Sequence, residues 1–135
     1  MPAAGLVDPG EGEMKTTKHH FEIFQRECEK WIMRFGLLGW RFYYQHKDIE
    51  ERQLAYCLYP DDPQDRVFTL GLTLNLEGDY PMIDIKRTAF HEVMEAFLYK
   101  MKYLAQARYV QPEEIHEETH NLVRTLENVV WQGEK

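Results

Sequence analysis

The chain has 135 residues, 44% hydrophobic and 13% aromatic, enough for one domain whose core needs no disulfide staples. Its 16 Lys and Arg against 23 Asp and Glu leave a formal charge of -7 with no basic cluster, which disfavours a nucleic-acid phosphate backbone as partner. No stretch approaches the roughly 20 apolar residues that span a bilayer, and Cys28 and Cys57 form no C-x-x-C pair, so a soluble chain in a reducing cytoplasm is expected.

The first residues, MPAAGLVDPGEGEMK, lack the basic start and continuous apolar run of a signal peptide. Pro, Gly, Ala and Glu without periodicity predict a flexible arm over residues 1–16, a handle for a protein assembly partner. A single domain is then expected over 17–135. From Thr17 a capping hydroxyl, apolar residues at Phe21, Phe24, Cys28, Trp31 and Phe35, and a terminating Gly36 predict an amphipathic helix.

The period then changes to two. WRFYYQHK places Trp40, Phe42 and Tyr44 on one face, RQLAYCLY does the same with Leu54, Tyr56 and Leu58, and the charged DIEE between them predicts a hairpin. After DDPQD, the run RVFTLGLTLNL points Phe68, Leu70, Leu72, Leu74 and Leu76 one way and Thr69, Gly71, Thr73 and Asn75 the other. The second face, small and polar, is one that solvent or a bound peptide would see.

MIDIKRTAFHEVMEAFLYKMKYLAQ carries a stripe of Phe90, Val93 or Met94, Phe97, Met101 and Leu104, which predicts one long helix packed on the sheet. A last helix begins at Pro112, with acids where the helix dipole favours them and a core stripe of Ile115, Thr119, Leu122, Leu126 and Val129. The expected class is α+β: a helix, a small three-stranded, mainly antiparallel sheet, and two more helices.

Within the long helix, AFHEVMEAF comes one residue short of H-E-x-x-H, two imidazoles one turn apart with a Glu beside the first. Positions i and i+4 share a face, so His91 and Glu95 can hold one metal ion while Glu92, one step round, faces a water on it. Two ligands fall short of the three that a catalytic zinc site draws from the protein. The last helix offers HEETH, with His116 and His120 one turn apart and Glu117 beside them. The plain alternative is that all of these acids and imidazoles are solvated helix surface in a chain rich in Glu.

The order of elements, with VFTLGLTLNL leading into RTAFHEVMEAFL and a closing helix carrying EETHNLVRTLE, resembles the minimal zincin-like metallopeptidases, among them SprT-like proteins and small, often phage-encoded relatives. The likeness covers most of residues 19–133 in element order and few specific residues: Ala89, His91, Glu92 and the EETHNLVRTLE stretch. It implies a zincin-like fold and a zinc-dependent peptidase acting on a peptide or protein substrate. His91 is then the first ligand, Glu92 the general base and Glu95 the residue standing where the family has its second His.

The third ligand falls to His120, or to Glu117 or His116. Two His and one carboxylate keep the usual zinc inventory, whereas one His and two carboxylates suit manganese or magnesium better. Tyr99, Tyr109 or His116 would stabilise the oxyanion. The strand before the active-site helix would pair with extended substrate and bring Thr69, Thr73 and Asn75 to a cleft. A site degraded by Glu95 implies instead an inactive, metal-free zincin-fold binding or structural subunit, as in a phage assembly.

Overall fold

The computed structural model describes residues 15–49 and 51–131, so residues 1–14 of the expected arm lie outside the described residues. Thr17 caps α1 (Lys18–Arg34), accepting the His20 N–H through its hydroxyl while its own N–H donates to His20 Nδ1. Phe24, Cys28 and Ile32 fall on the buried face. The helix stops where Gly36 takes φ +68°, letting the Gly36 and Leu37 N–H groups reach back to Met33 O and Ile32 O.

Three strands follow: β1 (Arg41–Lys47), β2 (Ala55–Leu58) and β3 (Val67–Thr73). The expected hairpin does not form, because β3 lies between the other two. It pairs in parallel with β1, from Arg41 opposite Val67 to Lys47 opposite Thr73, and antiparallel with β2, from Ala55 opposite Leu72 to Leu58 opposite Thr69. The sheet is therefore mixed rather than mainly antiparallel. The strand richest in buried apolar side chains takes the central position, where both faces are covered.

One face of β3 behaves as its alternation predicts: Phe68, Leu70 and Leu72 are buried against the helices. The other face is not an open surface. The Tyr56 ring lies so close over Gly71 that any Cβ there would run into it, and the Tyr56 hydroxyl donates to Gln45 Oε1 at 2.9 Å. Thr73 is 2% exposed, with its hydroxyl donating to Gln53 O at 2.6 Å. The strand ends at Thr73, leaving Leu74 exposed beyond it.

The expected single long helix is two. α2 (Met82–Phe97) and α3 (Tyr99–Gln106) meet at Leu98. Just past the break, Tyr99 packs with Trp40, Tyr59 and Phe68, and its hydroxyl donates to Pro60 O at 2.8 Å, tying α3 to the loop after β2. The main core lies between α1, α2 and one sheet face, with Ile85, Ala89, Val93 and Phe97 from α2 meeting Phe24, Cys28 and Ile32 from α1.

α4 (Pro112–Val130) starts as expected, with the Glu114 carboxylate accepting the Gln111 N–H, but its predicted core stripe is mostly not core. Leu122 and Val129 pack partly against the main cluster, whereas Ile115, Thr119 and Leu126 are exposed. The residue that α4 buries is Glu118, which meets Lys100 of α3 at 3.8 Å. Among the described residues, no helix is long and apolar enough to cross a membrane.

Candidate functional site

α2 carries the candidate site because its two sides meet different surroundings. Ala89 and Val93 turn into the core, which leaves His91 on the outer side with its ring about two-thirds exposed. One turn on, Glu95 Oε2 lies 3.5 Å from His91 Nε2. The other carboxylate oxygen of Glu95 accepts the Tyr59 hydroxyl at 2.8 Å, a bond that spans from the end of β2 to α2. Lys102 Nζ stands 5.0 Å from the centre of the Tyr59 ring, so His91, Glu95, Tyr59 and Lys102 form a chain across the surface.

Glu92 faces inward and is 7% exposed. Removal from water raises its pKa from 4.5 to about 7, and the Glu95 carboxylate nearby adds to the rise. Burial, Glu92 and then Glu95 push the neighbouring Cys57 thiol up to about 12, with Lys102 opposing them, so Cys57 is an inert thiol. The solvated-surface reading thus fails for Glu92 and describes His91 better.

Two grooves meet at His91. One, of about 350 Å³, runs between Gln53, Leu54 and Ala55 on one wall and Arg87, Thr88, His91 and Glu92 on the other. The second, of about 420 Å³, is lined by His91, Met94, Glu95, Leu98, Met101 and Lys102 and is mainly apolar. β2 borders the first groove and is an edge strand, hydrogen-bonded to β3 on one side and without a strand on the other among the described residues.

The other predicted residues are elsewhere. His120 is exposed on α4, where Arg124 Nη2 donates to its Nε2 at 2.8 Å, and His116 and Glu117 are exposed on the same helix. α4 packs on α3 and, through Leu122 and Val129, on the main core, and among the described residues none of these side chains joins His91 and Glu95 in a group of three possible ligands. Thr69 and Thr73 sit on a strand whose two edges are both taken, so no peptide can add there, and Asn75 lies beyond its end. Tyr99 is buried with its hydroxyl on Pro60 O, and Tyr109 is 82% exposed.

These positions bear on the fit of a zinc ion. His91 and Glu95 make two donors, with one oxygen of Glu95 already accepting a hydroxyl, and among the described residues no three His, Cys, Asp or Glu side chains gather as a ligand group. A catalytic zinc takes three protein donors, so the residues as arranged do not fit one. Sequence reasoning missed Tyr59 and Lys102, which stand in no spaced motif with His91 and reach it only through the fold, and it passed over Arg87, which stands one helical turn before His91. No protein-family model, curated protein or solved structure matches the chain.

Proposed function

We propose that this chain is a zincin-like binding protein that takes an extended peptide along the free edge of β2, past His91, Glu92 and Glu95, and leaves it uncut. The observation that carries this reading is the groove between Gln53, Leu54 and Ala55, the segment leading into the edge strand β2, and the side of α2 that bears Arg87, Thr88, His91 and Glu92. Such an edge offers a peptide a row of main-chain donors and acceptors, and the adjoining apolar groove of Met94, Leu98 and Met101 takes one of its side chains. Two metal donors in place of three support binding without turnover.

The test is a peptide-library screen by fluorescence anisotropy, with mass spectrometry of the bound peptides. Intact bound peptides, with affinity unmoved by a chelator, are expected. Absence of binding to any peptide, or metal-dependent cleavage, overturns the reading.

A zinc-dependent peptidase with Glu92 as general base is the second reading. One observation favours it: a carboxyl that changes protonation near pH 7 is matched to taking and giving protons at neutral pH. It needs a third donor from His120, Glu117 or His116, which α4 must bring from where it now packs. About one zinc per chain in protein purified without a His tag, with cleavage lost in Glu92→Gln and zinc retained, replaces the first reading by the second. A loss on the order of 10²-fold in turnover is the size expected for a general base.

A further inference from the structure

The depressions that begin at His91 form a line. The groove ahead of β2 and the apolar groove share His91, and the apolar groove shares Lys102 with a third hollow of about 360 Å³ that reaches Tyr59, Pro60 and Asp61. That hollow shares Tyr103 with a fourth, of about 580 Å³, walled by Trp40, Arg66 and Lys100. The line thus runs from Gln53, ahead of β2, past the end of that strand and on to Arg66. Measured along the helices, His91 to Leu104 is at most about 20 Å, at about 1.5 Å per residue. About six residues of extended chain cover that distance, at about 3.4 Å each.

The fourth hollow differs from the others in holding a positioned guanidinium. Arg66 takes φ +52°, a left-handed backbone that no other non-glycine residue adopts among the described residues, and its carbonyl accepts the Arg41 N–H at 2.8 Å. Its side chain turns back over Gly39 and Trp40. The guanidinium carbon is 5.7 Å from the centre of the Trp40 ring, and a Cβ on Gly39 would stand 3.1 Å from Arg66 Nη1. Among the described residues the Arg66 guanidinium makes no hydrogen bond and no ion pair. Its N–H donors, in a rigid fork laid on an aromatic ring, match the two oxygens of a carboxylate.

The other charges of the lining already have partners. Lys100 Nζ lies 3.8 Å from Glu118 Oε1. Asp62 accepts the Gln64 N–H at 3.0 Å, and Glu114 accepts the Gln111 N–H at 2.9 Å. Arg66 and Lys100 balance Asp62 and Glu114, so the hollow carries no net charge and its open hydrogen-bonding capacity is the Arg66 fork. The formal charge of -7 on the whole chain opposes a free anion at long range. A carboxylate carried on a peptide that already lies in the line arrives at a high effective concentration, which a free anion lacks.

We propose that the hollow at Arg66 is an anchoring subsite for a peptide carboxylate, carried on an acidic side chain or at a C-terminus about six residues from the one beside His91. Arg66 is the receptor, and Trp40 and Gly39 hold it in place. The anchor rests on the reading of the β2 edge as a peptide groove, and it gives that peptide a minimum length and an anionic end.

Fluorescence anisotropy on the full chain tests this, with each library peptide that binds compared in three forms: as found, with its acidic side chains replaced by amides, and with its C-terminus amidated. On the wild type, loss of the carboxylate that meets Arg66 is expected to weaken binding about tenfold or more, the scale of a hydrogen bond to a charged group. On Arg66→Gln the same loss should change nothing. Weakening by side-chain amides assigns the anchor to an acidic residue, and weakening by terminal amidation assigns it to the C-terminus. Equal binding of acid and amide forms by the wild type, or an equal loss in Arg66→Gln, overturns the anchor and leaves the edge groove standing.

A second measurement does not need the groove. The Arg66 Nε–H and Trp40 indole N–H signals of the wild type are followed by NMR at constant pH and ionic strength, during titration to millimolar N-acetylglycine or its amide. Shifts of both signals with the acid alone, and no Trp40 shift in Arg66→Gln, support the anchor. They do so even where no library peptide binds, in which case only the reading of the β2 edge fails. The absence of any acid-specific shift at Arg66 and Trp40 sinks the anchor.

Discussion

α2 and α4 are both amphipathic helices that carry acids and imidazoles at one-turn spacing, yet they bury different things. α2 is wedged between α1 and the sheet and puts Ile85, Ala89 and Val93 fully out of solvent. α4 lies on α3 and buries only Glu118, leaving Ile115, Val123, Leu126 and Val130 at 40% exposure or more. Each helix has one buried carboxylate. Glu118 has Lys100 at 3.8 Å, whereas Glu92 has another carboxylate, Glu95, as its electrostatic neighbour. The lesson is that periodicity announces a buried face, but the neighbour decides whether a buried acid is a pinned structural group or one that trades protons near neutrality.

The largest way to break the comparison is to empty each helix's apolar contacts. Phe24→Ala, under α2 in the main core, is expected to cost about 3–5 kcal/mol in urea unfolding, while Leu126→Ala on α4 costs under about 1 kcal/mol. A loss of several kcal/mol from Leu126→Ala would mean that α4 is covered as well as α2.

The next contrast is between the two acids. Glu92 keeps its proton in the folded chain to about pH 7, whereas in the unfolded chain it ionises near 4.5, so rising pH between those values favours unfolding. Glu92→Gln removes that penalty. It is expected to stabilise the protein by about 2–3 kcal/mol at pH 8 and to change little at pH 4.5. For Glu118→Gln the gain from removing a buried charge is offset by the loss of Lys100's partner, so its effect at pH 8 stays within about 1 kcal/mol. Thermal melts of both variants at the two pH values measure the difference. A Glu92→Gln variant no more stable at pH 8 than wild type would show that Glu92 is solvated.

A smaller effect sharpens the site itself. Tyr59→Phe removes the hydroxyl that holds Glu95 Oε1 and is expected to cost about 1 kcal/mol, because the freed carboxylate oxygen is half-open to water. Unchanged stability, with Glu95 in the same rotamer by NMR, would mean that this bond does not position Glu95.

Local chemistry was legible where it depends on neighbours in the chain. Thr17 and Gly36 mark the ends of α1, Pro112 the start of α4, and the alternation in VFTLGLT names Phe68, Leu70 and Leu72 as inward-facing, because capping, φ restriction and side-chain period are properties of a few consecutive residues. The pairing of His91 with Glu95 was equally legible, since four residues make one helical turn.

Strand order was not, because the choice between a hairpin and a central β3 depends on how two helices cover a sheet, and DIEE reads as a turn either way. Nor was the burial of Glu92, one step round the helix from an exposed His91. Its proton affinity is set by water that the rest of the fold excludes and by Glu95 facing it. The partners of Glu95, His20 and Thr16 stand 36, 60 and 57 residues away in the chain, and no local pattern carries contacts of that range. Backbone stiffness and side-chain period act over one turn or one strand, and the sequence by itself determined what they govern. Solvent exclusion and long-range hydrogen bonds act only once the chain has closed, and they decided which acid holds a proton, which strands keep a free edge and what holds Thr16 ahead of α1.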